Sequence, residues 1–147
     1  MKLSEQTIEV LQNFSSINQS LLFKEGTKLL TVSPQKTLLA EVEVGDKFSQ
    51  DFGIYDLSQF LSALSLIEDP ESDLSDNDMT ISDGNGTAIK YRYADPSMIV
   101  TPPKKSLSLP DVNVSFTLPD TILNKVLQAA RTLGLPEIIV KGENGVI

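Results

Sequence analysis

The sequence predicts an α+β fold built from short amphipathic helices and antiparallel strands. Three stretches carry apolar residues at helical spacing, and several others alternate apolar and polar residues between glycine-bearing turns. Forty per cent of the 147 residues are hydrophobic, which is sufficient for a packed core. The length suits one domain, or one domain and part of another.

The clearest helix signal lies in FGIYDLSQFLSALSLI, residues 52–67. Asp56 suits the N-cap position, and Gln59 three residues later completes a capping-box pattern. One apolar stripe follows, formed by Leu57, Phe60, Leu61 and Leu64. The opposite face is small and uncharged, with Ser58, Gln59, Ser62 and Ser65. That face fits either an ordinary solvated surface or a surface along which another molecule of smooth shape moves at close range. The residues alone do not distinguish the two.

Two further helices and several strands complete the predicted elements. A helix is expected over residues 4–14 with Ser4 as its N-cap, and another over residues 119–133 with Gly134 just beyond its end. Hairpins are predicted around Glu25-Gly26 and around residues 83–86. The remaining strands are predicted at residues 37–44, 47–55, 114–117 and 137–141, with a turn at Gly45-Asp46.

Composition limits the chemistry that this chain can perform. It has neither histidine nor cysteine, so the commonest general base and the commonest ligands of zinc and iron are missing. The net charge is −8, which weighs against nucleic-acid binding without excluding it. The N-terminus lacks an apolar signal region, and no apolar run is long enough to cross a membrane. We therefore expect a soluble intracellular protein that uses no metal or cofactor.

Much of the acidic charge lies in residues 68–78, which are predicted to form a loop after Pro70 ends the preceding helix. The spacing of the first acidic residues is similar to the start of a calcium-binding loop. However, Leu74 occupies the position that requires glycine, and Thr80 the position of the bidentate glutamate. The preferred interpretation is a solvated charge run that protects a sheet edge.

Residues 94–111 contain four prolines and no helical period, so they are predicted to form an extended connector. Beyond it, residues 138–147 (IIVKGENGVI) repeat the pattern of residues 21–30 (LLFKEGTKLL), and each stretch follows an amphipathic helix. This similarity suggests an internal duplication. A second copy that matched the first would run past residue 147, so we expect a truncated chain, with one whole unit and the start of another.

Three separated blocks resemble one known family. They are MKLS…LxNFxxIN at Met1–Asn18, IYDLxxFLxxLSL at Ile54–Leu66, and ADPSxxVxP at Ala94–Pro102. Together they are similar to the DNA polymerase sliding clamp of T4-like bacteriophages. The resemblance implies the DNA-clamp fold, with antiparallel sheets on the outside and helices lining one face.

The resemblance also implies partners and a location. It implies a homotrimeric ring around duplex DNA, bound without regard to base sequence, that tethers the replicative DNA polymerase. It further implies opening by an ATP-dependent clamp loader, in the cytoplasm of an infected bacterial host cell, with no catalysis and no membrane contact. The expected domains are a first clamp domain at residues 1–103, a connector at 104–112, and the incomplete start of a second clamp domain at 113–147.

The same resemblance implies two sets of contact residues. The residues expected to face DNA are Lys2, Gln6, Gln12, Asn13, Ser58, Gln59, Ser62, Lys125, Gln128 and Arg131. The residues expected to bind partner proteins beside the connector are Ile99, Val100 and Leu107. The inner helices of the family are typically basic, whereas the first helix here carries Glu5 and Glu9, which departs from the family pattern.

Two other functional classes are open from the residues themselves. An α+β protein-interaction domain that never meets DNA would explain the acidic total and the sparse basic residues. An enzyme would need paired carboxylates, a lysine or a serine nucleophile. Asp51 and Asp56 flank a strand-to-helix junction, but Asp56 is better explained as a helix cap, and no known catalytic motif is present.

Overall fold

The computed structural model describes residues 1–103 and 115–142. The chain divides into two compact units, Met1–Lys105 and Ser106–Ile147. This division falls inside the connector expected at residues 104–112, while the assignment of the two parts as clamp domains stays a prediction.

The described part of the first unit holds two α-helices, seven strands and a short 3₁₀ helix at Pro96–Met98. The bounds of the α-helices and strands in chain order are α1 Glu5–Ile17, β1 Leu21–Phe23, β2 Gly26–Val32, β3 Leu39–Phe48, β4 Phe52–Ile54, α2 Leu57–Ser65, β5 Glu71–Leu74, β6 Asp78–Ser82 and β7 Ala88–Arg92. The strands pair antiparallel as β1 with β4, β2 with β3, and β5-β6-β7 in that order. The predicted α+β class with antiparallel sheets is confirmed.

Both helices begin at the caps that the sequence predicted. The Ser4 hydroxyl accepts a hydrogen bond from the backbone N–H of Thr7 at 3.3 Å, and Asp56 Oδ1 accepts one from that of Gln59 at 2.9 Å. These bonds satisfy N–H groups that have no partner within the helix. Each helix therefore starts at a position fixed by its own local sequence.

The core of the first unit lies between the two helices and the sheets. It contains Leu11 and Phe14 from α1, together with Phe60 from α2. Phe23 stacks on Phe52 with ring centroids 4.4 Å apart, which ties β1 to β4. The apolar stripes of both helices are therefore buried, and their polar sides are left outside.

The hairpin predicted around Glu25-Gly26 is wrong in its pairing, because β1 pairs with β4 and not with β2. The Asp51 carboxylate explains the difference. It accepts hydrogen bonds from Lys24 Nζ and from the backbone N–H of Glu25 at 2.8 Å. These contacts hold the end of β1 beside the start of β4, and the chain then passes at Gly26, with φ 120°, into the other sheet.

The turn predicted at Gly45-Asp46 is also wrong, because β3 continues through both residues to Phe48. The β2–β3 register shifts between the pairs Lys28↔Glu43 and Gly26↔Phe48. Between these two pairs β2 advances by two residues and β3 by five. The extra residues of β3 form an irregular bulge within a continuous strand. The predicted third and fourth strands therefore merge, and only Phe52–Ile54 is separate.

The acidic segment at residues 68–78 is not entirely a loop, since it contains β5. Within β5 the acidic side chains of Glu71 and Asp73 are exposed while Ser72 is buried, so the charges occupy only the solvent side. Ser72 also exchanges two backbone hydrogen bonds with Met1, one of them N–H to Met1 O at 2.7 Å. Pairing with β6 and with Met1 explains why a charged stretch becomes a strand.

The second unit contains one helix among its described residues, α3, at Asp120–Leu133. It ends as predicted at Gly134, whose φ of 65° lies in the left-handed region that glycine tolerates. Residues 115–117 and 137–141 are not strands, contrary to prediction, because neither segment forms a ladder with another described residue. The end of the repeat, residues 143–147, lies outside the described residues. In the described ranges, no helix has the length and apolar character that crossing a membrane requires.

Candidate nucleic-acid interface

The two helices of the first unit pack against each other, and each buries one side in the same core. Thr7, Leu11 and Phe14 are the buried residues of α1. Leu57, Phe60 and Leu64 are those of α2. Because neighbouring helices bury facing stripes, their outer faces adjoin and form one polar surface, which we call the helix surface.

Gln6, Gln12 and Asn13 are exposed on α1, as the sequence predicted for outward residues. The helix extends to Ile17, three residues beyond its predicted end. The extension contains Ser15 and Ser16, whose hydroxyls donate to the carbonyls of the previous turn at 2.7 and 2.6 Å. Both serines are thus accommodated within the helix.

The outer face of α2 contains Ser58, Gln59 and Ser62, all exposed, and no charged side chain. The Ser62 hydroxyl donates to Ser58 O at 2.8 Å, and the Ser65 hydroxyl donates to Ser62 O at 2.8 Å. Two hydroxyl donors are therefore used within the helix and do not point freely outward. The α2 part of the helix surface is neutral and offers few strong hydrogen-bond donors.

Lys2 lies before α1 and is exposed, but its charge is not free. Its ammonium forms an ion pair with Asp69, which comes soon after α2. The hydrogen bond to Asp69 raises the pKa of Lys2 and keeps it protonated. Lys2 therefore contributes less positive potential to the helix surface than an unpaired lysine would.

Lys125, Gln128 and Arg131 are exposed on α3 and follow one another at i, i+3 and i+6. Lys125 and Arg131 give this helix two cations against the single carboxylate of Asp120 in its first turn. The opposite side of α3 lines an apolar groove of about 340 Å³ with Leu118, Ile138 and their neighbours. The second unit thus presents the only helix with basic side chains among the described residues.

The predicted partner-binding residues have different environments. Ile99 is 6% exposed and covers Gly53, whereas Val100 is 37% exposed. Beside Val100, Leu22, Leu30 and Pro102 line a groove of about 300 Å³. Leu107 lies outside the described residues. Of the two predicted partner-binding residues that the structure describes, only Val100 is exposed, and the site stays a prediction.

Sequence reasoning missed a second groove, of about 710 Å³, between α2 and the outer strand β7. Tyr55, Leu66 and Met98 are exposed around it at 60%, 77% and 62%. Burial raises the pKa of Tyr91, and raises that of Tyr93 to about 12, so both lining rings are neutral at physiological pH. The only signal in the sequence was the presence of apolar side chains at helix and strand ends, which is too common to identify a site.

Sequence reasoning also gave no role to Asn18, which is buried at the end of α1. Its Nδ2 donates to Val32 O at 3.0 Å and to Val100 O at 3.3 Å. This side chain therefore fixes the segment that carries Val100 to the strand β2. Across residues 1–103 and 115–142, no group of three or more acidic side chains is arranged to hold a metal ion.

Polar-faced helices packed on antiparallel sheets are the arrangement that the resemblance to the DNA-clamp class of replication proteins implies, and the first unit has it. Residues 2–101 match the family described as DNA polymerase processivity factor, and the chain belongs to this family. The resemblance that the sequence blocks indicated is confirmed, and with it the DNA-clamp fold.

Curated relatives of this chain come from bacteriophages. It is 34% identical over 148 residues to the sliding clamp of Vibrio phage KVP40, covering 99% of this chain and 66% of that protein. It is 34% identical over 150 residues to the sliding clamp of Escherichia phage RB69, covering 100% of this chain and 64% of that protein. It is 33% identical over 149 residues to the sliding clamp of Enterobacteria phage T4, covering 100% of this chain and 64% of that protein. The chain thus spans just under two thirds of the length of these relatives.

Proposed function

We propose that this chain acts within a sliding clamp, a ring that encircles duplex DNA and tethers the replicative DNA polymerase. The observation that carries the proposal is the similarity of the whole chain to three phage sliding clamps. The helix surface supports it. A ring that moves along DNA must touch phosphates weakly and read no bases, and a neutral polar surface meets both requirements.

The proposed DNA-facing residues are the ten that the family resemblance implied. All ten are exposed, and none belongs to a buried cluster. Gln and Ser side chains on α1 and α2 would pass close to the duplex, whereas Lys125 and Arg131 on α3 would attract its phosphates. The resulting contact would be sensitive to salt and indifferent to base sequence.

The proposed assembly is a homotrimer of the full-length protein. One feature of the first unit supports contact between subunits. Among the described strands, β7 has β6 as its only hydrogen-bonded neighbour, so its outer backbone groups can pair with another chain. The groove beside β7 carries Tyr55, Leu66 and Met98, which would gain burial in such a contact.

The proposed partners are the replicative polymerase and an ATP-dependent clamp loader. We assign their binding to Val100 and the adjoining groove lined by Leu22, Leu30 and Pro102. A groove of this size, which Lys24 and Lys28 also line, takes one or two anchoring side chains of a partner peptide. Ile99 and Leu107 stay in the proposed site.

We further propose that the protein performs no chemistry of its own, since it lacks both histidine and cysteine. Its place of action would be the cytoplasm of an infected bacterial cell, because the relatives that it resembles are bacteriophage proteins.

Retention on circular DNA tests encirclement directly. The chain extended by a full second domain, and the 147-residue chain beside it, would be loaded onto nicked circular DNA with the loader and ATP. We expect the extended protein to remain on the circle through a high-salt wash and to leave when one restriction cut opens it. Loss from the circle itself in the wash, or retention after the cut, would contradict a ring that surrounds DNA. Primer extension by the cognate polymerase gives the second readout, with longer products expected when the protein is present.

One observation favours the other candidate, an interaction domain that does not bind DNA. Among the described residues, neither α1 nor α2 carries a lysine or an arginine. A polymerase whose product length does not change with the extended protein, together with no retention on circles, would favour this candidate.

A further inference from the structure

The centre of the exposed face of α1 is acidic. Glu5 and Glu9 follow each other at i and i+4, and Gln12 and Ser16 continue the same stripe at i+7 and i+11. This stripe lies directly opposite the buried side of the helix, which contains Leu11. If α1 faces the duplex as proposed, these carboxylates are the groups on the helix that point most directly at the phosphates.

Within the described part of the first unit, no helical cation offsets these carboxylates. Lys2, the cation next to α1 in the chain, forms an ion pair with Asp69. The carboxylate of Glu9 has no ion pair or hydrogen bond among the described residues, and its side chain is exposed. Its negative charge therefore acts on whatever approaches α1.

The neighbouring hydroxyls do not supply strong contacts to phosphate either. Ser16 donates to Asn13 O at 2.6 Å, and Ser62 donates to Ser58 O at 2.8 Å. A hydroxyl whose hydrogen is already used presents lone pairs outward, and lone pairs do not attract phosphate oxygens. The helix surface thus combines repulsive charge with few available donors.

A structural explanation accounts for only one of the two carboxylates. Glu5 is in the first turn of α1, where a negative charge interacts favourably with the helix dipole and stabilises the helix. That effect fades within one turn, so it does not explain Glu9 in the second turn. Substitution of Glu9 therefore distinguishes a role toward DNA from a role in stabilising the helix.

We propose that Glu9, assisted by Glu5, repels the DNA backbone and keeps the helix surface from binding it tightly. This inference rests on the proposed function and assigns opposite electrostatic roles to α1 and α3. Lys125 and Arg131 on α3 supply the attraction to phosphate, and the α1 carboxylates set a minimum distance for the first unit. The result is a surface on which the duplex moves without being held.

The size of the effect follows from Coulomb's law in a solvated interface. Repulsion between a carboxylate and one phosphate about 8 Å away, in a medium close to water, weakens the affinity for the duplex by about twofold. Replacing Glu9 by glutamine should therefore tighten duplex binding about twofold to threefold at low salt. The gain should shrink as salt rises, because a Debye length of about 8 Å at physiological ionic strength screens the charge.

Nuclear magnetic resonance detects binding this weak and locates it. The 147-residue chain, labelled with ¹⁵N, would be titrated with a short duplex of arbitrary sequence, as wild type, Glu9→Gln and Glu25→Gln. Glu25 is the matched control, because it is an exposed glutamate that lies between β1 and β2 and belongs to neither helix. Thermal unfolding would verify that the three proteins have similar stability.

We expect amides of α3 to respond most in the wild type, and those of α1 and α2 to respond more strongly in Glu9→Gln but not in Glu25→Gln. An equal gain in both variants would assign the effect to net charge and overturn the role of Glu9. A wild type that binds duplex through α1 as tightly as through α3 would overturn it as well. Absence of any response at the helices, together with failure on circular DNA, would reject the proposed function and this inference with it.

Discussion

Asn18 joins three parts of the first unit. It ends α1, its Nδ2 donates to Val32 O and Val100 O, and its Oδ1 accepts from the backbone N–H of Ser20 at 3.0 Å. With only 6% of the residue exposed, water cannot replace these bonds. The side chain therefore aligns the helix, the strand β2 and the segment that carries the proposed partner groove.

Replacing Asn18 by alanine should lower the free energy of unfolding by about 2 kcal/mol, because buried carbonyls lose their donor. Urea denaturation measures the change. Gln19→Ala is the control, since the neighbouring amide is exposed, and it should change stability by less than about 0.5 kcal/mol. Equal effects of the two substitutions would show that Asn18 has no special role.

Gly53 is a second residue whose role depends on close approach. A Cβ added there would lie 2.6 Å from Ile99 Cδ1 and 2.8 Å from Ala94 O, both shorter than ordinary contacts. The backbone of β4 can therefore approach the segment after β7 only without a side chain. The same approach allows Ala94 N–H to bond Gly53 O at 2.9 Å.

Gly53→Ala should destabilise the protein by about 2 kcal/mol, since overpacking against a backbone carbonyl forces strands apart. Gly45→Ala is the matched control, because an added Cβ there meets nothing within 4 Å. The difference between the urea midpoints of the two variants measures the cost of the close contact at Gly53. If both variants unfold at the same urea concentration, the close contact at Gly53 is relieved at no cost.

Neither residue could have been assigned from the sequence. Asn18 and Val100 are 82 positions apart, and the local sequence around either residue does not indicate a contact with the other. The same holds for the contact between Gly53 and Ile99. By contrast, Ser4, Asp56 and Gly134 were predicted correctly because a helix cap depends on residues within one turn.

At the scale of elements, Asp46 connects β3 to the start of α1. Its Oδ2 accepts hydrogen bonds from the backbone N–H and the hydroxyl of Ser4 at 2.7 and 2.8 Å. Partial burial acts to raise the pKa of Asp46, but the hydrogen bonds from Ser4 and Thr7 outweigh it and lower the pKa below 3.8. The N-cap of α1 is therefore itself held by a carboxylate from the sheet.

Because the folded pKa of Asp46 is lowered, its ionised form contributes stability above the unfolded value of 3.8, and this contribution disappears as pH falls through the folded pKa. Asp46→Asn should therefore be less stable than wild type near pH 6 and approach wild-type stability at the acid end. Tm measured from about pH 2 to pH 6 tests this. Asp73→Asn, at an exposed carboxylate of β5, is the control for the loss of one negative charge. A constant difference between Asp46→Asn and wild type at every pH would contradict the prediction.

The helices were more predictable than the strand pairings for a physical reason. The 3.6-residue period and the caps are local, so α1, α2 and α3 were located within a few residues. Strand pairing depends on distant partners, and the Asp51 contacts that bring β1 to β4 link residues 26 and 27 positions apart. The tight turn around residues 83–86 was predicted correctly, since its pairing is local.

At the scale of the molecule, the proposed ring depends on strand addition at β7. Tyr93 N–H bonds Asn77 O, so in the alternating antiparallel ladder the backbone groups of Lys90 face away from β6. Lys90→Pro removes the outward N–H and leaves the inner ladder intact. In the chain extended by a full second domain, it should shift the mass by light scattering from trimer to monomer.

Lys90→Ala is the control, because it removes the same side chain and its ion pair with Asp78 while keeping the N–H. It should leave the trimer in place, since an exposed ion pair contributes little. A trimer that survives Lys90→Pro would place the contact between subunits elsewhere.

The two outer strands of the β5-β6-β7 sheet are not equivalent. Met1 already occupies the backbone groups of Ser72 on β5, whereas β7 has only β6 beside it among the described strands. A further chain can therefore add to this sheet at β7, and in the proposed three-membered ring β7 of one subunit would meet a different surface of the next. Subunits joined in this way point head to tail, and a closed assembly of them has two unlike faces. A partner that recognises one face would then also recognise the direction in which the assembly was threaded.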